Sequence, residues 1–177
     1  AVNTDQALVP TETASVDDIS SAIAALPSLL RVDLRKTGIS TEDVEMLETI
    51  YPDLQFQWSI DVLGDAYGSQ ERTLDLSGRE IADVDALTAE LAQFPYLTSV
   101  DLTGTNLSEE QIVGMTQMLP GVELIHMVAF CGQDVLSTQA ELNANEYQLT
   151  TPEEIMPALS QFTRLERVET LTDAVPV

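Results

Sequence analysis

The chain repeats itself at a fixed interval of 68 residues, without insertion or deletion, for about two and a half copies. Pro27, Leu29, Val32, Asp33, Leu34, Thr37, Ser40, Glu42, Pro52 and Gly64 recur as Pro95, Leu97, Val100, Asp101, Leu102, Thr105, Ser108, Glu110, Pro120 and Gly132. Gln93, Phe94, Leu97 and Val100 return a third time as Gln161, Phe162, Leu165 and Val168. A period that never slips means that each copy presents the same surfaces to its neighbours. The spacing predicts copies stacked on a shared core in one domain over residues 1–177, with function on a surface rather than in a cleft.

Within each copy the apolar period switches between the helical and the extended value. Ile19, Ile23 and Leu26 lie four and three apart, as do Leu87, Leu91, Phe94 and Ile155, Leu159, Phe162. This is one helical face seen three times. Ser15, Asp83 and Thr151 stand where a side-chain oxygen can accept from the free amides of a starting helix. A second helix follows Ser40 and Ser108, with Asp43 and Gln111 three residues on, which is the capping-box spacing. Val44, Leu47, Ile50 and Ile112, Met115, Leu119 are its expected inward residues, and Pro52 and Pro120 end it.

Short alternating segments between the helices read as strands at residues 31–35, 54–60, 73–77, 98–103, 122–128 and 166–171, with weaker ones at 6–9 and 141–144. Strands separated by helices run parallel, because the helix returns the chain to its starting edge. The Gly-containing link from Asp61 to Glu71 has no helical pattern and is expected to cross over as irregular structure.

Leu97, Val100, Leu102, Thr105 and Leu107 fit the frame L-x-x-L-x-L-x-x-N-x-L with threonine in the asparagine place, and Leu29, Val32, Leu34, Thr37 and Ile39 fit it equally. Together with the runs V-D-L-x-x-T-x-x-S-x-E and Y-P-D-x-x-F-x-W, these frames make the chain similar to irregular leucine-rich repeats of secreted or cell-surface bacterial proteins, over about residues 5–175. The resemblance implies an α/β solenoid, with parallel strands on one face and helices on the other, and an extracellular or cell-surface module that binds other proteins. It implies no cofactor.

Charge narrows the partners further. Thirty acidic and seven basic side chains give a formal charge of −23, which repels a phosphate backbone and argues against nucleic acid. No apolar run approaches the roughly 20 residues that a membrane-crossing helix needs. Cys131 is the single cysteine and cannot form an intramolecular disulfide. His126 is the single histidine and falls opposite Trp58 in the 68-residue register, the mark of a filled structural position. Phosphate-binding loops, nucleophile elbows and zinc-ligand spacings are absent from the sequence, so no enzyme is expected.

The candidate site lies on the strands. Alternation places Asp33, Asp75, Asp101 and Glu169 outward as an acidic ladder, and exposes Ile125 and Met127 beside it. Like charges on neighbouring strands are unfavourable until a cation or basic group meets them, so the expected ligand is a basic protein surface. The alternative is a glycan stacked on Trp58, Tyr51 and Tyr67, which burial of Trp58 and Tyr51 would remove. An acid–base enzyme using Asp75 and Asp101 is the third reading. Both ends enter the period in mid-copy, so the chain is expected to be a segment of a longer surface protein or to self-associate through its terminal strands.

Overall fold

The computed structural model describes residues 7, 8, 10, 14–130, 132–143 and 158–169. The described chain is mixed α/β and divides into two compact units that are interleaved in sequence: Ala1–Arg72 with Asp85–Leu97, and Thr73–Val84 with Thr98–Val177.

In the first unit, β1 (Ala7–Leu8), β2 (Arg31–Asp33) and β3 (Gln55–Gln57) form a parallel sheet with Val32 opposite both Leu8 and Phe56. Helices α1 (Val16–Ala24) and α2 (Thr41–Ile50) make the crossovers. Ser15 caps α1 through a capping box with Asp18, and Ser40 accepts from the Asp43 amide at the start of α2. The strands β4 (Ser59–Val62) and β5 (Asp65–Gly68) follow, and then α3 (Val84–Leu91), with Leu87 and Leu91 fully buried.

In the second unit, β6 (Thr73–Asp75), β7 (Ser99–Asp101) and β8 (Glu123–Ile125) form another parallel sheet, with Leu74, Val100 and Leu124 in one row. Helix α4 (Glu109–Met118) starts on a capping box between Ser108 and Gln111. The strands β9 (Met127–Phe130) and β10 (Gln133–Leu136) form a hairpin, and β11 (Glu141–Asn143) pairs in parallel with β12 (Arg167–Glu169). Phe130 meets Phe162 edge to face at 5.9 Å in a small core with Val128 and Leu142.

The expected solenoid is not formed. The strands make several small separate sheets, some of them antiparallel, instead of one parallel array in sequence order. The cause lies in the link from Asp61 to Glu71, which is not an irregular crossover but holds the end of β4, a tight turn and β5, the second arm of a hairpin. Leu63 and Gly64 both take positive φ, 52° and 84°, as the two central residues of a tight hairpin turn do. A strand reached through a two-residue turn runs antiparallel. The same turn position recurs at Gly132, with φ 80°.

The 68-residue period survives this change at the level of single pairings. Val32↔Phe56 returns as Val100↔Leu124, and Ile60↔Tyr67 returns as Val128↔Val135. The equivalent core residues Val32 and Val100 are both completely buried. Ile50 is the exception on its helix: it is exposed, and the inward position one residue on belongs to half-buried Tyr51 and buried Leu119. Helices begin next to Ser15, Ser40, Asp83 and Ser108 as expected, whereas Thr151 and Ile155 lie outside the described residues.

Candidate functional site

The acidic ladder is split among sheets. Asp33 ends β2 in the first unit, while Asp75 and Asp101 end β6 and β7 in the second and Glu169 ends β12 in a different sheet. The structure brings together three of the six expected residues as one row, Asp75↔Asp101↔Ile125 across β6, β7 and β8. Alternation of burial continues from Leu124 through His126, Val128 and Phe130, so Ile125 and Met127 fall on the other side, with Met127 exposed. Met127 is the partner of Leu136 across the β9–β10 hairpin, and both are exposed apolar side chains. Leu136 was not among the sequence candidates, because its exposure depends on a hairpin that alternation alone does not reveal.

Each aspartate at a strand end is fixed by the residue two positions on. Asp75 Oδ1 accepts from the Ser77 amide at 3.0 Å and the Ser77 hydroxyl at 2.6 Å. Asp101 Oδ1 accepts from the Thr103 amide at 2.9 Å and hydroxyl at 2.7 Å. Oδ2 of each carboxylate has no hydrogen-bond partner among the described residues. Asp33 differs, since Arg35 folds back on it with Nε at 2.9 Å and Nη2 at 2.6 Å. The Ser77 hydrogen bonds hold the Asp75 carboxyl below the usual range, and the Arg35 hydrogen bond does the same for Asp33.

A general acid at neutral pH needs a raised carboxyl pKa, which burial ordinarily supplies. Asp75 is exposed and shifted the other way. Among the described residues no group of three or more His, Cys, Asp or Glu is placed to hold a metal ion. No helix among them is long and apolar enough to cross a membrane.

Glu123 lies two register positions from this row, opposite Ser99, and is held by Arg164 at 2.8 and 2.5 Å and by the Thr163 hydroxyl at 2.9 Å. Trp58 is buried, with its indole N–H donating to the Thr41 hydroxyl at 3.3 Å. Tyr51 is half-buried with its hydroxyl on the Ser20 carbonyl. A buried indole cannot stack on a sugar, so the glycan reading loses its main platform. Cys131 lies outside the described residues.

The chain matches no family model, and no curated protein or solved structure matches it.

Proposed function

We propose that this chain is a non-catalytic, extracellular interaction module that binds a basic protein segment on the outer face of β6, β7 and β8 and the adjoining β9–β10 hairpin. The observation that carries the reading is the row Asp75↔Asp101↔Ile125. Two carboxylates on strands ~4.8 Å apart repel each other, and a lysine or arginine placed between them turns that repulsion into two attractions. Their Oδ1 atoms are already held by Ser77 and Thr103, which fixes both carboxylates before any partner arrives. Ile125, Met127 and Leu136 supply apolar area beside the acids, so a segment alternating basic and apolar residues fits the face.

The test uses a synthetic peptide of alternating lysine and leucine and follows backbone amide shifts in the protein. Shifts concentrated on β6–β9, binding that weakens as salt rises, and a loss of about tenfold or more in affinity for the double variant Asp75→Lys, Asp101→Lys support the reading. Charge reversal at exposed Asp53 is the control for the general attraction of a chain of charge −23. Equal losses in the two variants would reject this face as the binding surface.

A further inference from the structure

The two copies differ sharply at one equivalent place. In the first, Phe56 and Trp58 are both buried, and a short hydrogen-bond chain runs from the Trp58 indole N–H to the Thr41 hydroxyl and from there to Gln93 Oε1 at 2.9 Å. Sixty-eight residues on stand Leu124, His126, Glu109 and Gln161. Two large aromatic bodies have become smaller side chains, and the hydroxyl that linked Trp58 to the glutamine has become a carboxylate.

Both consequences are visible in the second unit. A pocket of about 290 Å³ opens beside Leu124 and His126, lined also by Ile112, Thr116, Gln161 and Thr163 and mostly apolar in its walls. Two buried polar atoms of its lining residues have no partner among the described residues, His126 Nε2 and Gln161 Oε1. His126 Nδ1 lies 2.9 Å from the Leu124 carbonyl, which can only accept, so Nδ1 carries the proton and Nε2 of the neutral ring is an acceptor. The Gln161 amide nitrogen donates to Glu109 at 3.3 Å, which leaves Oε1 as the second acceptor. Buried acceptors without donors are rare enough to need an explanation.

We infer that this pocket is a binding site for a small planar heteroaromatic molecule carrying a ring N–H, which supplies the aromatic body and the donor that the first copy holds in Trp58. The site is separate from the acidic face, and neither reading rests on the other. The volume accommodates a bicyclic ring, since an apolar cavity of about 150 Å³ takes up benzene. Ile112 and Leu124 border the ring, and because both acceptors are closed to water in the structure, the ring N–H meets His126 Nε2 or Gln161 Oε1 once that side chain turns into the pocket.

Indole is the probe, with benzofuran as the same shape lacking a donor. Titration of the full chain is followed by amide shifts and by the ring nitrogen shifts of His126, which a merely surface-adsorbed aromatic would not move. The expected result is saturable indole binding with shifts at Ile112, Leu124, Thr163 and the His126 ring, and about three- to tenfold weaker binding of benzofuran. His126→Trp restores the residue of the first copy and abolishes binding. Val113→Trp, at an exposed position on the pocket rim, gives the same loss if the first variant does not fold. Shifts that never saturate up to the solubility of indole, or equal indole binding by the parent and both variants, would overturn the site. Equal binding of indole and benzofuran would overturn the donor requirement.

Discussion

Ser137 bonds to His126 twice, accepting the His126 amide on its hydroxyl at 3.0 Å and donating its own amide to the His126 carbonyl at 2.8 Å. Ser69 and Trp58 make the same exchange at 3.2 and 2.8 Å. Both serines are fully buried, so removing the hydroxyl strands an amide away from water. Ser137→Ala and Ser69→Ala are each expected to cost about 1–3 kcal/mol in denaturant unfolding, whereas Ser→Thr, which keeps the acceptor, costs less where the extra methyl fits.

The hairpin turn carries a residue that its backbone disfavours. Leu63 has φ 52°, a region that costs a β-carbon-bearing residue about 1–2 kcal/mol, and Asn-Gly is the preferred pair for such a turn. Leu63→Asn is expected to stabilise the chain by about 0.5–1 kcal/mol, and Gly64→Ala, at φ 84°, to destabilise it. Thermal unfolding of the two variants gives shifts of opposite sign.

Leu34 and Leu102 occupy equivalent positions in the two units and are both 1% exposed. Truncating either to alanine is expected to cost about 2–5 kcal/mol, because the lost transfer energy is joined by that of an unfilled cavity. Val168 is their internal control at 37% exposure, and Val168→Ala is expected to stay within about 0.5 kcal/mol. Chemical denaturation of the three variants checks the contrast.

The Asp33–Arg35 pair predicts a pH dependence of known sign. Hydrogen bonding to Arg35 lowers the folded pKa of Asp33 below the ordinary value of 3.8. Its stabilising contribution is therefore complete above 3.8 and is lost as pH falls through the lower folded value. In carbon-detected titration the Asp33 midpoint is expected below 3.8 and to move up toward it in Arg35→Ala. The stability difference between the parent and that variant should vanish under strongly acid conditions.

How much the sequence revealed depended on the range of the signal. Caps at Ser15, Ser40 and Ser108 were legible because a capping residue and its partner lie three positions apart. The inward face of Leu124, His126 and Val128 was legible because alternation needs only neighbours. What alternation cannot report is a change of partner: the same unbroken in-and-out pattern runs through β8 and β9 while the pairing switches from parallel to antiparallel at His126. In the first copy the turn of the corresponding hairpin has Leu63 where asparagine is the usual sign, so that hairpin read as a loose link. Asp33, Asp101 and Glu169 recur by period and Asp75 was found by alternation, but neither signal places residues in one sheet. The pocket beside His126 needed the comparison of volumes between copies, and the exact register supplied it only once Trp58 was known to be buried.

Trp58 and His126 join two kinds of sheet through consecutive peptide groups. The carbonyl of Gln57 accepts the Leu34 amide of the parallel ladder, and the next carbonyl, that of Trp58, accepts the Ser69 amide beside the hairpin. Ile125 and His126 do the same for Leu102 and Ser137. With no residue of slack between the two ladders, one cannot fray while the other stays closed. Amide hydrogen exchange at Leu34 and Ser69, and likewise at Leu102 and Ser137, is thereby tied to a single opening event, and each hairpin shares the protection of the sheet it leaves.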